Sequence, residues 1–438
     1  MSIHNSFIHK CWKLVAICAL LLSFTGCALL KQIREIPSRA PVYPDTALQR
    51  NDFTVSRDDD VVGGLALMRL EPGDTLPDVA RHFSVGLNSI TSVNPEMDVW
   101  VPETGKRIIL PLSFILPDAP RKGIVINLAA MRLFYFKQNA TTSAISTYPI
   151  GVGTVERPSP MGQMYIDRKM YRPTWFVPAS IAEDHRKKGD PLPAKVPPGP
   201  LNPLGEHALY LSKSGYLIHG TNKPASIGLR ATNGCMRLYP EDIKKLFETT
   251  PVRTPVTIVN QPYLIGRVGE TIYMEVHNPF EESGADELEK AYIKLKNIEA
   301  KSGRLFDWTR IKEIVKEARG VPVPIFTNRG NSGAAETIEI RHPEKLHGKP
   351  EVPELRSDRW YVLAANSRDK IEAMRIAAII NHQGPQIPAR VLSRDSNHRV
   401  LAGPFDNNGE AREALKRLRI DLEITGILIE PFDQTSAR

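Results

Sequence analysis

The stretch IHGTNKPASIGLRATNGCMRL, residues 218–238, holds one histidine, His219, and one cysteine, Cys235, each beside a glycine. His219 follows a short apolar run, so we expect it at the end of a strand, where a sheet holds its ring in place. Gly234 permits a tight turn that presents the next side chain. A thiol attacks a carbonyl carbon only as the thiolate, and a neighbouring imidazole can take its proton. The stretch therefore predicts a cysteine nucleophile with a histidine base.

The residues around this pair predict supporting roles. Gly220 leaves space, and its carbonyl is placed to accept a hydrogen bond from the imidazole, which sets the tautomer. The backbone N–H groups at Gly234 and Cys235 are the natural donors to an oxyanion. Arg237 points to the same side as Cys235 if the segment is extended, and its guanidinium suits a substrate carboxylate. Further candidates for contact with the substrate are Thr232, Asn233 and Trp175, of which Trp175 fits a packing role equally well.

The N-terminus has the pattern of a secretory signal. A basic flank precedes the apolar run 14–24, which is too short for a bilayer-spanning helix and of the right length for a signal-peptide core. Residues 24–27, FTGC, resemble a bacterial lipobox, although phenylalanine stands where leucine is usual. We expect a signal peptide over 1–26 and a lipid anchor on Cys27, and Ala28 in place of aspartate points to the outer membrane. The alternative is an ordinary cleaved signal with an incidental cysteine.

The number of cysteines in the sequence suggests a functional role for Cys235. Of four cysteines, two leave with the signal and Cys27 is consumed by lipid, so one thiol remains and no internal disulfide forms. In an oxidising periplasm an unpaired cysteine is a liability, which suggests a reactive one. The alternative is a buried structural cysteine. The polar or backbone-exposing neighbours Asn233, Gly234 and Arg237 argue against that alternative.

Length and charge restrict the class of protein. A chain of 438 residues allows two or three domains. Its net charge of +8 suits anionic lipid or the carboxylates of a cell wall. Nucleic acid is the weaker interpretation, because the signal directs the chain away from it, and we expect no nucleic-acid partner.

The first folded unit follows a polar segment, 27–63, which we interpret as a tether. Residues 64–112 predict a strand, two short helices and a closing strand, with apolar residues at helical spacing from Leu76 to Phe83. With EPGDTLPDVARHFSV and VNPEMDVWVPETGKRIILP, this βααβ plan resembles a LysM domain, a family that binds the N-acetylglucosamine units of peptidoglycan. The alternative is a generic small α+β unit.

The middle of the chain is rich in strands. Residues 121–260 contain short β-type runs separated by Gly, Pro and Asn, which predict a compact sandwich or barrel. Within them, residues 173–205 carry too much proline for core strand and predict an ordered loop with one helix over 179–187. Loops of this length are often functional. Residues 261–350 are interpreted as an extension and a helical, flexible linker.

The last domain, 356–433, shows a βαββαβ order. With RVLAGPF at 399–405 it resembles the SPOR domain, which has a ferredoxin-like plan. That resemblance implies binding to glycan strands stripped of stem peptides, and enrichment at division septa. The alternative is an RNA-binding relative of the same fold, which export of the chain argues against.

The quoted stretch resembles the signature of the YkuD-type L,D-transpeptidases. That family has His-Gly-Thr and then, after a gap, Ser/Thr-His-Gly-Cys-x-Arg. Here the pattern is met at 219–221 and 232–237, except that Asn233 replaces the usual second histidine. The resemblance runs from residue 121 to about 279 and implies His219 as base and Cys235 as nucleophile. Asn233 cannot titrate, so the departure affects only a proton-relay role there.

The same resemblance implies a two-step acyl transfer on peptidoglycan tetrapeptide stems through a thioester. The acceptor amine is a diaminopimelate side chain, giving a 3–3 crosslink, or the C-terminal lysine of a wall-anchored lipoprotein. No metal or organic cofactor is expected. The whole chain is thus predicted to be a multidomain α+β, mostly β, protein of the periplasm, anchored to a membrane by lipid.

Two alternatives remain open. An L,D-carboxypeptidase or crosslink hydrolase uses the same cysteine and histidine and differs in how well water is excluded from the thioester. A non-catalytic wall-binding scaffold needs only the two flanking domains, but it has no use for an oxidisable thiol.

Overall fold

The computed structural model describes residues 41–138, 143–280, 284–303, 305–325 and 337–431. The predicted signal peptide, 1–26, and the predicted lipidation site, Cys27, lie outside the described residues. Within the described ranges, no helix has the length and apolar character needed to cross a membrane.

The strands and helices are numbered in chain order. The strands are β1 Val42–Tyr43, β2 Asp52–Val55, β3 Val61–Arg69, β4 Arg107–Ile115, β5 Gly123–Asn127, β6 Arg132–Gln138, β7 Ser143–Pro149, β8 Val152–Gly153, β9 Gly162–Tyr171, β10 Trp175–Phe176, β11 Lys195–Val196, β12 His207–Leu211, β13 Leu217–His219, β14 Arg230–Thr232, β15 Met236–Arg237, β16 Pro255–Val259, β17 Tyr263–Val268, β18 Thr271–Val276, β19 Val323–Pro324, β20 Thr337–Ile340, β21 Trp360–Ser367, β22 Ala389–Arg394, β23 Asn397–Phe405 and β24 Ile427–Ile429. The α-helices are α1 Leu76–His82, α2 Leu87–Val93, α3 Ala179–Lys187, α4 Pro240–Thr249, α5 Gly284–Ser302, α6 Trp308–Glu317, α7 Lys370–Asn381 and α8 Asn408–Leu422.

The N-terminal module has the strand–helix–helix–strand order expected from its sequence. β3 and β4 pair antiparallel, and α1 and α2 lie between them in the chain. The apolar residues at helical spacing are fully buried, because one face of α1 packs on the sheet. Thr75 caps α1 by accepting a hydrogen bond from the backbone N–H of Asp78.

The linker expected over 261–350 is instead largely folded around this module. β20 pairs parallel with β3 and brings Ile340 into the module's core. On the other side, the sheet β17-β18-β19 and the helices α5 and α6 bury Leu65, Leu67 and Ile109. The physical reason is that β3 and β4 have apolar residues on both faces, and each face needs a cover.

The central domain is built on a nine-stranded sheet in the order β15-β13-β12-β9-β16-β5-β6-β7-β2. The long strand β9 pairs with β16 through its first residues and with β12 through its later ones. Ile124 from one half of the sheet and Leu209 and Ile218 from the other share one core, so the halves enclose it.

The tether predicted over 27–63 requires a correction, since β2 is an edge strand of this sheet and pairs antiparallel with β7. Phe53 and Val55 are buried and alternate with exposed residues. This period of two is the pattern of a half-buried strand, and four residues are too few to stand out in a polar segment.

The C-terminal domain contains β21, α7, β22, β23, α8 and β24 in chain order, with the sheet order β22-β23-β21-β24. Both helices pack on one face of the sheet, around Val362, Val400 and Leu418. The domain also contacts the N-terminal module, since Arg375 forms an ion pair of 2.7 Å with Asp98. The described chain is therefore multidomain and rich in β-structure.

Candidate active site

The parallel pairing of β13 with β15 brings the two ends of the quoted stretch together. In the register, His219 is the partner of Arg237 and Ile218 is the partner of Met236. Cys235 immediately precedes β15, the strand next to that of His219, and lies two residues before Arg237, the partner of His219. A loop of fifteen residues between them therefore does not separate the thiol from the imidazole.

His219 is buried, with 4% of its surface exposed. Its Nδ1 lies 2.6 Å from the carbonyl oxygen of Gly220. Since a carbonyl oxygen only accepts, this contact assigns the ring proton to Nδ1 and leaves Nε2 with the lone pair. Burial, together with the nearby charge of the Arg237 guanidinium, lowers the pKa of His219 to about 3. The imidazole is therefore a neutral, oriented base at ordinary pH.

Cys235 is partly exposed. Its thiol donates to the carbonyl oxygen of Gly215 at 3.7 Å. Burial of the sulfur raises the pKa of the Cys235 thiol, and the backbone at Leu217 and the charge of Arg237 oppose that effect in part. The raised pKa of the thiol and the lowered pKa of the imidazole both favour an uncharged thiol–imidazole pair over a thiolate–imidazolium pair.

The nucleophile loop, residues 232–235, is tightly closed. The Thr232 hydroxyl donates to the Cys235 carbonyl oxygen at 2.6 Å, and Thr232 itself is 4% exposed. Gly234 has a φ of +97°, and a Cβ there would lie 2.8 Å from the Tyr216 ring and 3.0 Å from the carbonyl oxygen of Pro158. Thr232 therefore closes the loop with its hydroxyl proton. The predicted contact of Thr232 with the substrate stays a prediction.

Arg237 is held at the site by its backbone and by one side-chain contact. It exchanges backbone hydrogen bonds of 2.8 and 2.9 Å with Gly151. Its Nη1 donates to the Ser226 hydroxyl at 2.9 Å, while its Nε is buried without a partner among the described residues. Burial lowers the pKa of Arg237. The guanidinium therefore has donor capacity left for an anionic group.

The structure adds a residue that sequence reasoning missed. Arg157, in the loop after β8, donates from Nη1 to the Asn233 side-chain oxygen and from Nη2 to Asp184 of α3 at 2.7 Å. No local pattern indicates this contact, because Arg157 and Asn233 are 76 residues apart.

The predicted proline-rich loop is a surface flap, defined here as residues 173–202. The helix predicted within it is confirmed, since α3 spans Ala179–Lys187. Asn202 closes the base of the flap by donating to the carbonyl oxygen of Pro173 at 2.8 Å. Trp175 lies in the flap, on β10 opposite Val196 of β11, and not on the nucleophile loop.

His207 packs between two aromatic rings. Its ring centroid lies 5.1 Å from that of Tyr171 and 4.9 Å from that of Phe247. The described part of the chain brings no three His, Cys, Asp or Glu side chains together as a metal site would need.

A cysteine beside a buried histidine, with an arginine in the same strand pair, supplies the groups that acyl transfer or hydrolysis through a thioester requires, and we take this corner of the sheet as the candidate active site. Comparison with known proteins agrees with this class. Residues 121–258 match the L,D-transpeptidase catalytic domain model of the YkuD family, and residues 357–430 match the SPOR domain model.

Two curated relatives are similar over most of their length. "Probable L,D-transpeptidase YbiS" of Escherichia coli K12 is 36% identical over 271 residues, covering 60% of this chain and 88% of that protein. "Probable L,D-transpeptidase ErfK/SrfK" of Salmonella typhimurium LT2 is 35% identical over 260 residues, covering 58% of this chain and 83% of that protein. The chain therefore belongs to the YkuD family of L,D-transpeptidases and carries a SPOR domain near its C-terminus.

Among solved structures, the catalytic domain of the Enterococcus faecium L,D-transpeptidase aligns with 32% of this chain and 99% of its own length. The sequence identity is 20% and the TM-score is 0.25.

Proposed function

We propose that this chain is a cysteine-dependent L,D-transpeptidase that joins peptidoglycan stem peptides through a thioester on Cys235. The observation that carries the proposal is the register of β13 with β15, which brings His219, Arg237 and the residue before β15 into one corner of the sheet. Membership in the family supports peptidoglycan as the substrate class.

In the first step, Sγ of Cys235 attacks the carbonyl carbon of the diaminopimelate residue in a tetrapeptide stem. The thiol proton passes to Nε2 of His219, the C–N bond to the terminal D-alanine breaks, and the leaving amine takes that proton. Because the pKa of the thiol is raised and that of the imidazole is lowered, proton transfer accompanies attack and does not precede it.

In the second step, an acceptor amine attacks the thioester and gives a proton to His219. The C–S bond breaks and the thiolate recovers the proton. The backbone N–H groups of the nucleophile loop are the donors to the oxyanion in both steps, and Arg237 holds a substrate carboxylate. The acceptor is the side chain of a second diaminopimelate residue, which gives a 3–3 crosslink, or the C-terminal lysine of a wall-anchored lipoprotein.

The flanking domains hold the enzyme at its insoluble substrate. We assign the N-terminal βααβ module, residues 64–112, as a LysM domain that binds glycan, and the SPOR domain as a second glycan-binding unit. Two weak sites on one chain raise the effective concentration of the catalytic domain near the wall. A lipid on Cys27 places the protein in the periplasm at the outer membrane.

The test is to incubate purified muropeptides with the wild type, with Cys235→Ala and with His219→Ala, and to identify products by mass spectrometry. We expect 3–3 dimers from the wild type and from neither variant. Tripeptides alone would identify an L,D-carboxypeptidase. The absence of any product that depends on Cys235 would leave a wall-binding scaffold.

A further inference from the structure

We propose that Arg157 is a positioning residue that holds the flap against the nucleophile loop. By doing so it sets the fraction of the thioester that reacts with an amine acceptor and the fraction that water hydrolyses. This inference rests on the proposed function, because it concerns the fate of the thioester on Cys235. It does not make Arg157 a catalytic residue, since Arg157 acts through Asn233 and Asp184.

The first argument is the geometry of one guanidinium. One terminal nitrogen of Arg157 donates to Asn233, two residues before Cys235, and the other donates to Asp184 on α3 of the flap at 2.7 Å. The planar fork of arginine directs two donors to two acceptors at once. A single side chain thus connects the flap with the loop that carries the nucleophile.

The second argument is that the base of Arg157 is fixed to the nucleophile loop. The backbone N–H of Thr154 donates to the carbonyl oxygen of Thr232 at 3.0 Å. The backbone N–H of Arg157 donates to the Thr154 hydroxyl at 3.2 Å. Because these short connections leave the arginine backbone little freedom, loss of its side-chain contacts frees the flap and not the loop after β8.

The third argument is that few apolar contacts hold the flap. No residue of α3 is buried, and Phe176 and Leu201 are 73% and 68% exposed. At its far end the flap meets the C-terminal domain through an ion pair of 2.8 Å between Asp190 and Lys416. A segment with so little buried surface has a low cost of local opening, so polar contacts decide its position.

The fourth argument explains Asn233, which replaces the histidine usual in the family signature. The amide oxygen of Asn233 accepts from the Arg157 guanidinium without carrying a charge of its own. A protonated histidine at this position would repel the guanidinium, and a neutral one would offer a single ring nitrogen as acceptor. Asparagine is therefore suited to the contact with Arg157.

The consequence for the reaction follows from water access. When the flap is closed, water is excluded and a bound amine attacks the thioester carbonyl carbon. When the flap is open, water also reaches that carbon and hydrolyses the thioester. The position of the flap therefore sets the ratio of crosslinked product to hydrolysed tripeptide.

The experiment compares Arg157→Gln and Asp184→Asn with the wild type in two measurements. The first is the ratio of 3–3 dimer to tripeptide, and the second is hydrogen–deuterium exchange in peptides covering 179–190 and 232–236. For a half-exposed pair we expect the product ratio to fall about two- to fivefold and exchange in both peptides to rise by a similar factor. Arg157→Lys, which keeps the charge without the fork, should give an intermediate result.

Two single-residue controls and one compensating double variant separate this role from a general loss of structure. Arg186→Gln removes a charge from the same helix, but Arg186 pairs with Glu183 within α3, so neither measurement should change. Lys416→Gln should raise exchange in the flap peptide and leave the 232–236 peptide unchanged. The double variant Arg157→Glu with Asp184→Arg restores the ion pair, and the Asn233 amide can donate to the new carboxylate, so it should recover the wild-type ratio.

The outcomes are distinct. If the wild type forms no product that depends on Cys235, the proposed function fails. If it forms product and the Arg157→Gln variant shows the same product ratio and the same exchange, this inference alone is wrong. In the Arg157→Gln variant, faster exchange in the flap peptide without a change at 232–236 also contradicts the inference, because the connection to the nucleophile loop would be missing.

Discussion

The hydroxyl of Ser84 donates a hydrogen bond of 2.8 Å to the carboxyl group of Asp242, on the helix that follows the nucleophile strand. Both residues are buried, and next to them Tyr239 donates to the carbonyl oxygen of Val85 at 3.1 Å. On the surface of the same interface, Arg81 binds Glu241 through two hydrogen bonds. The N-terminal module is therefore built onto helix α4 and is not a freely tethered attachment.

The buried carboxyl predicts a pH-dependent stability. Burial raises the pKa of Asp242 from 3.8 to about 7, so the folded state binds the proton more tightly than the unfolded state. This contribution is present at acid pH and is lost as the pH rises from about 4 to 7, by at most roughly 1.4 kcal/mol per pH unit. Urea unfolding of the wild type and of Asp242→Asn at pH 5 and 7.5 measures it. Equal pH dependence of the two proteins would contradict the assignment.

Alkylation of Cys235 should be slow at neutral pH and rise steeply with pH. Burial raises the pKa of the Cys235 thiol above its ordinary value, so the reactive thiolate is a small minority of the protein at pH 7. The rate of iodoacetamide labelling from pH 6 to 10, followed by intact mass, should not reach a plateau below pH 9. A plateau already at pH 7 would indicate a preformed ion pair, and Cys235→Ala serves as the unlabelled control.

Acylation by a β-lactam of the carbapenem class should depend only weakly on pH between 5 and 8. Since the pKa of His219 lies at about 3, the imidazole stays unprotonated and able to accept the thiol proton over this whole range. Stopped-flow acylation rates, with the covalent adduct confirmed by mass spectrometry, test this. A tenfold fall from pH 7 to pH 5 would show that the histidine titrates near its ordinary value.

Gly234→Ala should slow acylation by about 10²-fold, because a shift of the nucleophile by one ångström is enough for such a loss. The added Cβ would lie 2.8 Å from the Tyr216 ring, at a backbone φ of +97°. Gly162→Ala is the matched control, since Gly162 has a φ of +102° and no atom within 4 Å of the added Cβ. Similar acylation rates in both variants would remove the packing argument at Gly234.

Deletion of the C-terminal domain should change where the protein accumulates and not whether its cysteine reacts. We expect a fluorescent fusion lacking residues 360–431 to lose enrichment at midcell, because we propose that the SPOR domain binds glycan at the septum. Full-length Cys235→Ala should keep its midcell enrichment. If the truncated fusion stays at midcell, another part of the chain directs it there.

Local pattern was enough to predict several elements. Helix α3 has the bounds expected from sequence, because a short amphipathic run between prolines has few other options. The cap of α1 at Thr75 follows a turn of Pro, Gly and Asp. Two of the strands that sequence analysis missed, β2 and β20, are four residues long, and each pairs with a strand about 90 or more residues away in the chain.

The sequence by itself determined the candidate reactive groups and their local backbone, which are a thiol after Gly234 and an imidazole at a strand end, and it determined the family to which the chain belongs. Only the tertiary structure decided their protonation, since burial sets the pKa values of His219 and Cys235 and no sequence pattern encodes the depth of a side chain. It also decided the partner of Asn233, because a hydrogen bond to Arg157 exists only once two distant loops have been folded side by side.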